Sequence, residues 1–319
     1  MTVGQPLFRE EAVLQFYTGV AQALREGLFA EAIDSLEKML ETAMDYPGAS
    51  TALKCAAFWK ERLEREHAAR DAFERGEQLM ALWRLFQAFA ERLPDMPERC
   101  LFAIKQFVFS SAMACYLSTG SESGAAGSDP DVLLQIGRCC KGLGNYERAI
   151  ENLERANIER KEDPRILAEL ADCYSLVNEG RAAKVFLRES FFLDPQAVDL
   201  AGLESPLVQR LAARLRGMGY SGPSLAEWMP VYGAIWGVFN VKREMKPLEF
   251  GKLKQGIYQL EKDCGAAGAA RDLLVPRLIN RYFWLIDHYL TTGEPRDRIE
   301  EILAKIRELD PRVYQEYTA

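Results

Sequence analysis

The sequence repeats itself in its middle at a fixed interval. Asp129-Pro130 recurs 34 residues on as Asp163-Pro164. In the same register Leu133 answers to Leu167, Ile136 to Leu170, Gly137 to Ala171 and Cys139 to Cys173; farther on, Leu143 answers to Val177, Ala149 to Ala183 and Leu153 to Leu187. A period of this length is that of a helix pair whose apolar face is too large to bury alone, so that it stacks on copies of itself. The interval therefore predicts an all-α solenoid of antiparallel helix pairs. Stacked pairs offer surfaces for holding partners, and binding is the function class implied.

The flanks read as helices too. Val13, Phe16, Tyr17 and Val20 open an amphipathic run that stops at Gly27, and Ile33, Leu36 and Leu40 mark a second. From Ser50 to Leu93 the chain is rich in strong helix formers, with Gly76 as the expected break. The stretch Lys60–Arg75 carries alternating charges at helical spacing, Glu61 with Arg65 and Glu66 with Arg70, as on a solvated face. Leu79, Leu82, Trp83, Phe86 and Phe89 form an apolar stripe of the core type. After the breakers Pro94 and Pro97, Glu98 to Leu117 reads as a further apolar helix.

Residues 118–129 have the composition of a linker. The expected organisation is thus 1–117, a linker or loop at 118–129, the repeat block 130–195, and a less regular C-terminal helical region 196–319. In that last part Ser205-Pro206 signals an N-cap with proline at the first helical position. Helices are expected near Glu249–Lys262, Leu273–Leu290 and Pro295–Leu309, and Val238–Arg243 is the one short strand candidate.

Composition narrows the function. Across 319 residues, a hydrophobic fraction of 48% supports a sizeable core, and a net charge of −7 argues against a nucleic-acid partner. The start carries no basic, then apolar, leader. No uninterrupted apolar run approaches membrane-spanning length, so a membrane is not an expected partner. Seven scattered cysteines suit a reducing compartment, and the expected location is cytoplasmic.

Residues 130–195 resemble the tetratricopeptide repeat family. Its small residues at the helix crossing are matched by Gly137 and Ala149, then by Ala171 and Ala183. Its turn is matched by Gly144-Asn145-Tyr146, while in the second unit, at Asn178-Glu179-Gly180, the glycine is displaced. Its closing proline is matched by Pro195; in the first unit that slot is Lys161, and the helix is expected to run on to Asp163-Pro164. Phe16–Tyr46 and Tyr282–Pro311 are fainter echoes, the latter through Tyr289, Gly293, Leu303 and Leu309-Asp310-Pro311. The resemblance implies a concave groove lined by the first helix of each unit, here by Leu134, Gln135, Arg138 and Lys141, then Arg165, Glu169, Asp172 and Ser175. It implies a non-catalytic scaffold or adaptor that binds a protein or peptide. Asp172 departs from the neutral donor that the family's carboxylate-clamping members need.

Signals for chemistry are weak. The two histidines, His67 and His288, stand far apart, and Cys139, Cys140 and Cys173 are better explained as buried thiols than as zinc ligands. No phosphate-cradling loop or nucleophile elbow occurs. No enzyme, cofactor or metal is expected. One alternative is a catalytic pocket in the C-terminal region around Glu227, Tyr232 and Glu244. Another is homo-oligomeric assembly through Trp228, Tyr232, Trp236 and Phe239, with Lys242, Arg243 and Lys246 beside them. That aromatic segment reads either as a core plug, the favoured sense, or as a hydrophobic contact site.

Overall fold

A computed structural model describes residues 6–42, 48–65, 71–122, 129–241, 245–266, 268 and 271–319. Among these residues the protein is all-α, with fifteen helices packed in adjacent pairs and no strand. The strand candidate at 238–243 is turn and extended chain up to Val241, and its last two residues lie outside the described ones. The chain forms two compact units, Met1–Ala156 and Asn157–Ala319. Their boundary falls inside a helix of the repeat block, and the expected linker lies within the first unit.

The first unit holds α1 (Pro6–Arg25), α2 (Phe29–Thr42), α3 (Ala49–Arg65), α4 (Ala72–Ala90), α5 (Glu98–Glu122), α6 (Pro130–Gly142) and most of α7 (Tyr146–Glu159). α5 packs against α1, α4 and α6. Over Glu98–Thr119 it is long and apolar enough, by length and composition, to cross a membrane. Lys105 and Gln106 interrupt the apolar stretch and hide its length. Ala103, Ile104, Val108, Ala112 and Tyr116 of this helix are fully buried, as in a central core helix. α5 also continues through Glu122, so the helix overruns the first five residues of the expected linker.

Gly76 does not break a helix. It lies within α4, where a Cβ would stand 2.5 Å from the Tyr116 ring. The glycine is present for close approach between α4 and α5, at the cost in helix propensity that made it look like a stop. Gly137 serves the same end in α6, since a Cβ there would stand 2.6 Å from Leu153 of α7.

The second unit holds α8 (Pro164–Leu176), α9 (Gly180–Leu193), a 3₁₀ turn (Pro195–Ala197), α10 (Pro206–Gly217), α11 (Gly222–Ile235), α12 (Pro247–Ala266), α13 (Arg271–Thr292), α14 (Arg296–Leu309) and α15 (Pro311–Thr318). Its core gathers Phe191, Met229, Tyr232, Ile279, Tyr282 and Phe283, all nearly or wholly inaccessible. Burial of each such side chain contributes about 1.5–3 kcal/mol.

The Asp-Pro pairs have one local meaning. In Asp129, Asp163 and Asp310 the carboxylate caps the helix that the following proline begins, and Asp194 caps the 3₁₀ turn likewise. α7 ends at Glu159, short of the extension expected, because a separate turn precedes Asp163. The paired turns also agree. Gly144 has φ of 80°, and Asn178, one period on, has φ of 65°. The displaced glycine is thus explained: asparagine is among the few other residues that enter the left-handed region at modest cost.

Candidate partner-binding surface

The face of α8 expected to line a groove is closed by the chain that follows it. Asp172 is fully buried. Its two carboxylate oxygens accept the backbone N–H groups of Glu204, at 2.9 Å, and of Ser205, at 2.7 Å. The hydroxyls of Ser175 and Ser205 meet at 2.7 Å. Val198 and Leu203 enter the same core as Ala168 and Ala171. Glu169 is buried as well. Arg165 stays partly exposed, but its guanidinium grips Asp163 through Nε at 3.1 Å and Nη2 at 2.7 Å. Burial alone would raise the Asp163 carboxyl; the hydrogen bonds from Arg165 and the charges of Arg165 and Arg160 outweigh it and hold the group below the ordinary carboxylate range. These residues organise α8 and its successor, which accounts for Asp172 being acidic where a peptide clamp would want a neutral donor.

In the first unit Leu134 and Lys141 are buried, and Gln135 and Arg138 half-buried. Arg138 lies close enough to Tyr116 and Cys139 to oppose the upward push that burial gives both. Cys139, Cys140 and Cys173 are buried free thiols, and among the described residues no group of three metal-ligating side chains occurs.

The aromatic segment is a core plug. Trp228, Tyr232 and Phe239 are buried, with the Tyr232 ring 5.7 Å from Trp228 and 4.9 Å from Trp236. Phe239 packs directly on Gly233. Only Trp236 reaches the surface in part, and the Arg214 guanidinium covers it at 3.6 Å. Lys242 and Arg243 lie outside the described residues.

Of the residues of the alternative catalytic pocket, Glu227 is engaged elsewhere. Glu227, 1% exposed, is paired with Arg277, whose Nε donates to it at 3.1 Å, and it accepts from Gln196 at 3.0 Å. Arg277 also reaches Asp194 at 3.0 Å. Burial pushes the Tyr232 hydroxyl well above its ordinary pKa. Glu244 and His67 lie outside the described residues, and His288 stacks on Phe250 at 4.1 Å.

An open surface lies within the fainter echo of the repeat, Tyr282–Pro311. A cleft of about 750 Å³ is lined by the end of α13, the outer edge of α14 and Tyr314 of α15. α14 divides its apolar residues between two edges. Ile302 and Ile306 enter the core, while Ile299 and Leu303 remain half-exposed along the cleft. Leu290, 52% exposed, adds an apolar wall. Charges rim the cleft: Arg296 pairs with Glu300 at 3.4 Å and Arg298 with Glu294 at 3.1 Å. Arg307 has no carboxylate partner among the described residues, and its guanidinium stands 5.7 Å from the Tyr314 ring. The signal in the sequence was an apolar stripe on α14 wider than its buried face needs.

No known protein family matches the chain, and no curated protein sequence matches it.

Proposed function

We propose that this protein is a non-catalytic scaffold of the tetratricopeptide repeat type, cytoplasmic, holding a protein or peptide partner on the cleft of α13, α14 and α15. The observation that carries the reading is the half-exposed apolar edge of α14, Ile299 and Leu303, set in a concavity with the exposed Leu290 and a charged rim. Apolar floors with polar rims are the usual anatomy of a binding patch. The helix pairs supply a rigid support for it. The earlier groove positions on α8 lose their place in this reading because the chain itself occupies them.

The test is a Leu290→Asp variant of the full chain, at the exposed wall of the cleft. Its stability should stay within about 0.5 kcal/mol of the parent, as for a surface substitution. Proteins cross-linked to the parent in its native cell, identified by mass spectrometry, should include at least one that the variant loses. Identical partner sets from a variant of unchanged stability would sink the proposal.

A further inference from the structure

The charges around the cleft do not balance locally, and the imbalance has a direction. At one end Glu300 answers Arg296, and Glu294 answers Arg298, each one helical turn away. At the other end Arg307 stands in the last turn of α14 without a carboxylate partner among the described residues. The helix dipole favours a cation there, which accounts for its being tolerated; it does not supply an anion to its guanidinium. Arg307 is exposed and lines the cleft beside Leu303 and Tyr314. A guanidinium fork matches a single carboxylate by two parallel hydrogen bonds.

The spacing of the lining fixes a length. Along α14, Leu303 lies about 6 Å from Arg307 and Ile299 about 6 Å farther back, at 1.5 Å per residue. Apolar contacts one turn apart, followed by a charge one turn on, are what an amphipathic helix presents. We propose that the cleft takes an amphipathic helical segment of a partner protein, its apolar ridge on Ile299 and Leu303 and a carboxylate one turn farther on paired with Arg307. The segment is polarised: acidic at the Arg307 end, and neutral or basic where it passes Glu294 and Glu300. The inference rests on the binding reading above and goes beyond it in naming the ligand's chemistry and orientation.

The experiment selects binders from a display library of random 15-residue peptides on the full-length protein, then measures them by fluorescence anisotropy. Selected peptides should carry Glu or Asp one turn from a Leu or Phe ridge and weaken on Leu290→Asp. On Arg307→Glu they should lose about tenfold or more in affinity, as for a truncated interfacial charge pair. Changing their acidic residue to Lys should restore affinity for Arg307→Glu and not for the parent. Peptides that depend on Leu290 yet bind the parent and Arg307→Glu alike would overturn the carboxylate pairing and leave the cleft reading standing. Selection of no peptide sensitive to Leu290→Asp would overturn both. A parent that sediments as a dimer which Arg307→Glu dissociates would replace the partner by a second copy of the chain.

Discussion

Two helix pairs of the second unit, α8–α9 and α13–α14, share their local grammar and differ in what their surfaces do. Each turns on a left-handed residue, Asn178 in one and Gly293 in the other. Each is followed by an Asp-Pro pair that caps the next element. Yet α8 spends its would-be groove face on Asp172 and Ser175, which hold the entry to α10, whereas α14 keeps Ile299 and Leu303 at the surface. Similar local signals therefore produce either a joint or a docking surface. The outcome is decided by whether the succeeding chain folds back over the pair.

The comparison breaks most sharply at Asp172. Asp172→Ala removes two hydrogen bonds to a buried carboxylate and leaves two N–H groups unsatisfied. It should cost about 2–4 kcal/mol. Hydrogen exchange should speed at the amides of Glu204 and Ser205 above all; unchanged protection there would mean that Asp172 is not what holds this segment. Leu290→Asp, on the open surface, is the counterpart that should leave stability almost untouched.

A smaller effect belongs to Asp163. Its folded carboxyl titrates below the ordinary value, so its contribution is present above the unfolded pKa of about 3.9 and is lost as pH falls through the lower folded value. Asp163→Asn keeps a capping oxygen and removes the titration. The parent should lose about 1 kcal/mol more than the variant on acidification from about pH 5 to about pH 2. Parallel acid profiles of thermal unfolding would show that Arg165 and Arg160 contribute nothing through this pair.

The smallest change tests the turn. Asn178→Gly should stabilise the protein by about 0.5 kcal/mol, because glycine enters the left-handed region without a Cβ. A lowered unfolding temperature would instead assign the asparagine side chain a bond of its own.

What could be read from the sequence was what local chemistry decides. The Asp-Pro caps, the turn at Gly144 and the start of α10 at Pro206 depend on residues within a few positions of each other. Gly76 was misread because its reason, the ring of Tyr116, lies forty positions away in the chain. Asp172 is expected on an open helix face, and only the return of residues 198–205 closes that face. The cleft on α14 was half legible. Leu303 stands among the residues of the fainter echo, while the division of the helix between Ile302 and Ile306 in the core and Ile299 and Leu303 at the cleft required α13 and α15 in place.

The bonds from Asp172 span 32 and 33 residues, almost one full period of the repeat. A contact of that range closes a short loop, so its entropic cost is modest and can be met as soon as the next segment is made. Each completed pair becomes the template on which its successor settles. Assembly of this unit then has a direction along the chain, and a defect at Asp172 would be inherited by what folds after it more than by what folds before.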